Sequence, residues 1–142
     1  MQRKYFGTDG IRGRSNTGII TPEIMIKLAR ATSIACDFLG KNPIIIIGKD
    51  TRLSSYMLEF ALISGFISMG ANMVLVGPVP TPAISMLVKN LRADLGIMIT
   101  ASHNPYYDNG VKFFKSSGHK ISSELENKIE ELMSIDLSEY AA

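Results

Sequence analysis

The segment 100–110 sets a hydroxyl, an imidazole and a carboxamide side by side: Ser102, His103 and Asn104, with Pro105 stiffening the exit. A serine in that setting can be a nucleophile, a donor to a ligand or a turn former. Acyl hydrolysis is not the expected chemistry. Chain neighbours rarely meet as nucleophile and base, and the G-x-S-x-G elbow is absent. A second cluster near the start places glycines 7, 10 and 13 around Arg12. Its guanidinium can fork onto phosphate oxygens, and a turn with a solvated arginine is the plainer alternative. Those glycines do not make a dinucleotide fingerprint, and there is no Walker loop. A third cluster, GKDTRLSS at 48–55, puts Arg52 and Ser54 at a helix start, where the dipole favours anions. His103 and His119 are not at metal-ligand spacing, and no Cys/His cluster exists.

These clusters need elements to hold them. Thr21 as cap, Pro22 in the first turn and Glu23 predict a helix that runs through Phe38 and ends at Gly40. The β-branched run at 43–48 predicts a strand buried on both faces. Ser54 and Ser55 are expected to cap a helix from Tyr56 to Met69, stopped by Gly70. That helix is apolar nearly all round and therefore expected to be well buried. A strand at 72–77, a helix started by Thr81-Pro82 and reaching about Leu91, and a strand at 94–100 follow. Asp108 and Asn109 before Gly110 read as a turn, and Val111–Phe114 as a further strand. Ser123 with Glu126 makes a capping box for a last helix carrying Leu125, Ile129, Leu132 and Met133.

Alternating strands and helices imply an α/β fold: a three-layer α/β/α sandwich around a mainly parallel, mixed four-stranded sheet. The strand at Val111 follows its predecessor with no helix between them, so it is expected to be antiparallel. In such sheets ligands sit outside the carboxyl ends of the strands, where two of the three clusters fall.

Composition narrows the class. Of 142 residues, 46% are hydrophobic and 20% charged, which suits a soluble globular domain and excludes a disordered, collagen-like or coiled-coil chain. The single cysteine, Cys36, rules out an internal disulfide and reads as a small buried group on a helix in a cytoplasmic protein. The apolar stretch 57–69 is interrupted and too short to span a membrane, and no secretory leader is seen. Residues 1–123 carry 14 Lys/Arg against 7 Asp/Glu, whereas 124–142 carry one Lys against six acids. A basic body without a dense Lys/Arg stripe favours a small anionic ligand over nucleic acid. The acidic last helix reads as a solvated face or a contact to a following domain. Methionines 25, 57, 69, 73, 86, 98 and 133 are expected to fill core gaps.

Taken together, FGTDGIRG, GKDTRLSS and TASHNPYYDNGVKFF resemble the signatures of the α-D-phosphohexomutases. KYFGTDGIRG with ASHNPYYDNGVKFF is most similar to the bacterial members that act on glucosamine phosphate. The resemblance covers essentially the whole chain but only the first of that family's four domains. It implies that 1–134 is the phosphoserine-bearing domain I, that 135–142 begins a linker, and that domains II–IV are absent from this chain, which then has no turnover alone. It implies that Ser102 is carried as a phosphoserine and passes its phosphoryl group to a hexosamine 6-phosphate through a 1,6-bisphosphate. By the same resemblance Arg12 and Lys112 lie near that phosphate, and Lys112 is the candidate general acid/base. His103 and Asn104 hold the loop and the phosphate, while Arg52 and Ser54 bind anionic substrate. Mg²⁺ is implied, with the Ser102 phosphate as one ligand and the others in the absent domain II. The expected partners are the sugar phosphates, the protein's own domains II–IV and a second copy of the chain, with no nucleic acid and no membrane. A phosphoglucomutase or phosphomannomutase is the alternative within the family, and a non-catalytic phosphosugar-binding module the alternative outside it.

Overall fold

The computed structural model describes residues 3–140. Helix α1 (Pro22–Ala35) starts as expected: Thr21 Oγ1 accepts the Ile24 N–H at 3.3 Å. It ends well before Gly40, leaving Phe38 outside. Asp37 takes the left-handed conformation (φ 58°), its N–H reaches Ile34 O, and the Phe38 N–H reaches Ser33 O. Asp37 thus performs the termination expected of the glycine. Strand β3 (Ile44–Lys49) leads to α2 (Leu53–Ile67), which begins earlier than expected, with Arg52 at the N-cap and no side-chain cap. Ser54 and Ser55 therefore lie inside its first turn. Strand β4 (Asn72–Pro78), α3 (Thr81–Asn90) and β5 (Leu95–Ile99) follow, then β6 (Asp108–Lys115) and α4 (Ser123–Met133). Pro80, not Thr81, precedes α3. Ser122, not Ser123, caps α4, accepting the Leu125 N–H at 3.1 Å.

The four expected strands are present, and β6 runs antiparallel to β5. Two more come from the N-terminus: β1 (Phe6–Gly7) and β2 (Gly10–Arg14) form a hairpin whose second strand pairs antiparallel with β6. The sheet order is β1-β2-β6-β5-β3-β4, with parallel pairing confined to β4, β3 and β5. Ile45, Ile47, Ile97 and Ile99 point to the face covered by α1, α2 and α4, while Ile46 and Met98 point to α3. This alternation makes the three layers. Each fully buried aliphatic side chain contributes about 1.5–3 kcal/mol. Helices α1 and α2 pack closely because Gly65 faces Ala29; a Cβ at Gly65 would sit 2.6 Å from the Ala29 Cβ.

Three burial expectations change. Helix α2 is not buried all round: Leu53, Phe60 and Ile67 are 87%, 65% and 56% exposed. It lies against α1 and the sheet on its inner side, and its outer side faces water. Met86 is exposed on α3, whereas Met25, Met69, Met98 and Met133 are in the core. The acidic helix is also not simply a solvated face. Glu130 Oε1 accepts the Tyr5 and Phe6 N–H groups at 2.7 Å each, and Arg3 Nη1 donates to Glu126 Oε1 at 2.6 Å. Both carboxylates anchor the chain entering β1. Leu137, in the stretch expected as linker, is buried in the main core; Ala141 and Ala142 lie outside the described residues. Among the described residues no helix is long and apolar enough to cross a membrane.

Candidate active site

Ser102 lies just beyond the carboxyl end of β5, exposed, in a left-handed conformation (φ 53°). That region costs a residue with a side chain about 1–3 kcal/mol, so the surroundings must impose it. The Ser102 N–H donates to Thr100 Oγ1 at 2.9 Å, and the Asn104 N–H donates to Ala101 O at 3.0 Å. Arg52 Nη2 donates to Ser102 O at 3.1 Å and to Asn104 O at 2.7 Å.

Two cations meet at the serine hydroxyl. Arg12 Nη2 donates to Ser102 Oγ at 3.1 Å, and Lys112 Nζ donates to it at 3.3 Å. The sheet register makes this possible: Arg12 on β2 stands opposite Gly110 on β6, and Lys112 follows two residues along β6. Only glycine fits at 110, because a Cβ there would lie 2.4 Å from Ile11 O and 2.8 Å from the Arg12 Cγ. Burial holds the Lys112 ammonium below its ordinary pKa; Arg12 and Lys120 push the same way, and Asp9 opposes them. The proton on this amine is therefore easier to release than that of a free lysine.

The other expected site residues fall into different places. His103 is exposed beside Ser102. Asn104 Nδ2 donates to Asp108 Oδ2 at 3.2 Å, inside the loop. Arg52 grips backbone carbonyls and pairs with Asp50, while its Nε is buried without a partner. Ser54 Oγ accepts a bond from Asn109 Nδ2 at 2.8 Å. Asp108 and Asn109 do not form a turn: they open β6, where Asn109 is fully buried and also donates to Ser55 Oγ at 3.0 Å. Asn109, read from the sequence only as a turn residue, and Asp50 are polar groups that the sequence patterns did not assign to the site. A polar residue at an inward position of a strand, facing two serines at a helix start, is the signal that could have found the first. At Asp50, burial favours the neutral form. Hydrogen bonds from the Arg52 backbone, Ser55 and Thr100, with the Arg52 charge, outweigh it and hold the carboxyl below its usual range.

A family described as phosphoglucomutase/phosphomannomutase, alpha/beta/alpha domain I, matches residues 3–138. The chain belongs to this family. A phosphoglucosamine mutase of Afipia carboxidovorans is 56% identical over 133 residues, covering 94% of this chain and 30% of that protein. One from Bartonella henselae is 54% identical over 142 residues, covering 100% of this chain and 31% of that protein. The chain thus spans less than a third of the length of these relatives. A crystal structure from Thermus thermophilus, described as a phosphomannomutase, superposes with TM-score 0.78 at 37% identity over 90% of this chain and 29% of that one. The Paramecium parafusin structure, in its open form, shares the fold at TM-score 0.81 and 22% identity, over 94% of this chain and 26% of that one.

In this phosphoglucomutase/phosphomannomutase domain I, one cleft lies at Lys112 and another at the Tyr106–Tyr107 end of the Ser102 loop. One of about 240 Å³ borders Lys112 and is lined by Asp9, Thr81, Phe114 and Lys120. A wider one of about 570 Å³ is lined by Arg14, Thr51, Arg52, Tyr106 and Tyr107, with the Arg14 guanidinium 4.8 Å from the Tyr107 ring centre. Among the described residues no group of three or more His, Cys, Asp or Glu could hold a metal ion. The side chains of this domain therefore do not by themselves supply the carboxylate set that Mg²⁺ prefers.

Proposed function

We propose that the chain is the phosphoserine-bearing first part of a phosphoglucosamine mutase, an isomerase that interconverts glucosamine 6-phosphate and glucosamine 1-phosphate. The observation that carries the reading is the exposed Ser102 Oγ, with Arg12 Nη2 at 3.1 Å and Lys112 Nζ at 3.3 Å. Relatives at 54–56% identity bearing that name favour the amino sugar over glucose or mannose.

Phosphoryl transfer demands positioning and neutralisation of charge on the equatorial oxygens. With a phosphate on Ser102, Arg12 and Lys112 donate to its oxygens. A sugar hydroxyl oxygen attacks phosphorus, the bond from phosphorus to Ser102 Oγ breaks, and a 1,6-bisphosphate results. One proton passes in net from the sugar hydroxyl to Ser102 Oγ. Lys112, within hydrogen-bond reach and with a lowered pKa, carries it. After the bisphosphate turns over, Ser102 Oγ attacks its other phosphorus, the proton returns, and the second sugar oxygen is released. His103 and Asn104 frame the loop around the phosphate. Mg²⁺ is the expected counter-ion of the Ser102 phosphate, with its further ligands outside this chain. The full reaction needs the protein's further domains. A second copy of the chain is a further proposed partner, and the cytoplasm its proposed compartment.

The test is direct. The longer protein, incubated with glucosamine 1,6-bisphosphate, is digested and Ser102 examined by mass spectrometry. Phosphate on Ser102, with activity abolished by Ser102→Ala, is expected. An unmodified Ser102 in a turning-over enzyme sinks the proposal.

A further inference from the structure

We infer that Arg52, braced by Asp50, positions Ser102 for transfer and is not a ligand of the migrating phosphate; this rests on the phosphoserine reading above. The Arg52 fork is already committed. Its Nη2 is shared between the carbonyls of Ser102 and Asn104, and its Nη1 pairs with the Asp50 carboxylate. The cations that reach Ser102 Oγ are Arg12 and Lys112.

Asp50 is in turn fixed from behind. Its Oδ1 accepts the Ser55 hydroxyl at 2.8 Å and the Arg52 N–H at 3.1 Å. Ser55 and Asn109 are fully buried and joined at 3.0 Å, and the Asn109 carboxamide oxygen accepts the Gly110 N–H at 2.8 Å. A continuous set of hydrogen bonds thus runs from the start of β6, through the first turn of α2, to the carbonyl of Ser102. Connected networks of this kind, here with Arg52 Nε as the one member left without a partner among the described residues, restrict the groups they hold.

The held residue needs holding. With a left-handed φ of 53°, Ser102 relaxes toward ordinary backbone angles once its carbonyl is released. That rotation swings Cβ and carries Oγ away from Arg12 and Lys112. A lysine at 52 keeps the charge but has a single nitrogen. It cannot serve two carbonyls and a carboxylate in one plane. Displacement of a reacting atom by about 1 Å costs on the order of 100-fold in rate.

The experiment uses the full-length enzyme with glucosamine 6-phosphate. Ser102→Ala comes first: retained turnover overturns the phosphoserine reading and this inference with it. Where that control is dead, Arg52→Lys decides. The expected result is a fall in kcat of about 30- to 100-fold with KM within about threefold. A rise in KM larger than the fall in kcat makes Arg52 a ligand of the substrate and overturns the inference, as does an unchanged kcat. Asp50→Asn is expected to give the same split with a smaller fall. The double variant is expected to lose no more than about twice what Arg52→Lys loses. Losses that multiply mean the two residues act separately, and they overturn the brace. Melting curves accompany each variant; if Arg52→Lys does not fold, Asp50→Asn alone is read by the same criterion.

Discussion

Lys49 and Glu59 form an ion pair closed to water, with Nζ and Oε1 3.1 Å apart and side chains 7% and 3% exposed. It ties the end of β3 to the inner face of α2, just before the loop that carries Asp50 and Arg52. The Tyr56 ring centre lies 4.7 Å from Nζ, and Glu59 Oε2 is buried without a partner. Removing one member leaves the other charge stranded. Lys49→Met is expected to cost about 3–5 kcal/mol, and Lys49→Met with Glu59→Leu to recover most of it. Urea unfolding followed by circular dichroism measures both. A single substitution costing less than about 1 kcal/mol contradicts the geometry.

Lys112 titrates below its ordinary range because burial and then Arg12 disfavour its charged form. Arg12→Gln removes the cation with the larger effect, so the Lys112 pKa is expected to rise. Carbon-13 NMR of labelled lysine side chains against pH reads the shift. The sign for stability follows from the depressed folded value. The unfolded chain holds the proton more tightly, so Lys112 opposes folding below its folded pKa. That penalty is lifted as pH rises from there towards the ordinary 10.5. A fall of the Lys112 pKa in Arg12→Gln would contradict the assignment.

Gly110→Ala places a methyl group where there is backbone. With Ile11 O at 2.4 Å and Thr100 O at 3.0 Å, the strands must part. A loss of about 1–3 kcal/mol is expected, together with weaker protection of the β2 amides in hydrogen exchange. Unchanged protection at Arg12 would show that the sheet absorbs the methyl elsewhere.

Cys36 is expected to react slowly. Cys36 is half-buried and caps the C-terminus of α1 instead of lying buried within the helix; that partial burial lifts its thiol from 9.0 to about 11, against a smaller opposite pull from Lys128. The thiolate is the reactive species, so alkylation by iodoacetamide near pH ~8 should run far slower than in urea. Because the folded value is the higher one, stability from this group is present below pH 9.0 and lost between there and about 11. Equal rates in buffer and urea would refute the burial.

The 142-residue chain alone is expected to show no mutase turnover, since it spans about 30% of the length of the phosphoglucosamine mutases it is similar to. A coupled assay for glucosamine 1-phosphate checks this. Turnover by the purified chain would mean that one domain suffices.

Much of this was legible in the residues because local chemistry decided it. The Thr21-Pro22 start, the isoleucine strand and the antiparallel β6 follow from capping, β-branching and connection length. What escaped depends on partners distant in sequence. Glu130 looks like a surface acid until Tyr5 and Phe6 arrive 124 or more residues away in the chain. Ser54 and Ser55 look like caps until Asn109 and Asp50 claim their hydroxyls. In the site, Ser102, Arg12 and Lys112 stood out through their motifs. The grip of Arg52 on the loop backbone did not, because carbonyl partners leave no mark on residue type.

Arg12 and Lys112 project from neighbouring strands, so the gap between them is fixed by the spacing of the sheet and not by how a loop happens to settle. The cationic seat at Ser102 Oγ is built before anything binds it. Under the proposed reaction, a bisphosphate that tumbles between its two encounters would do so above a floor that stays still.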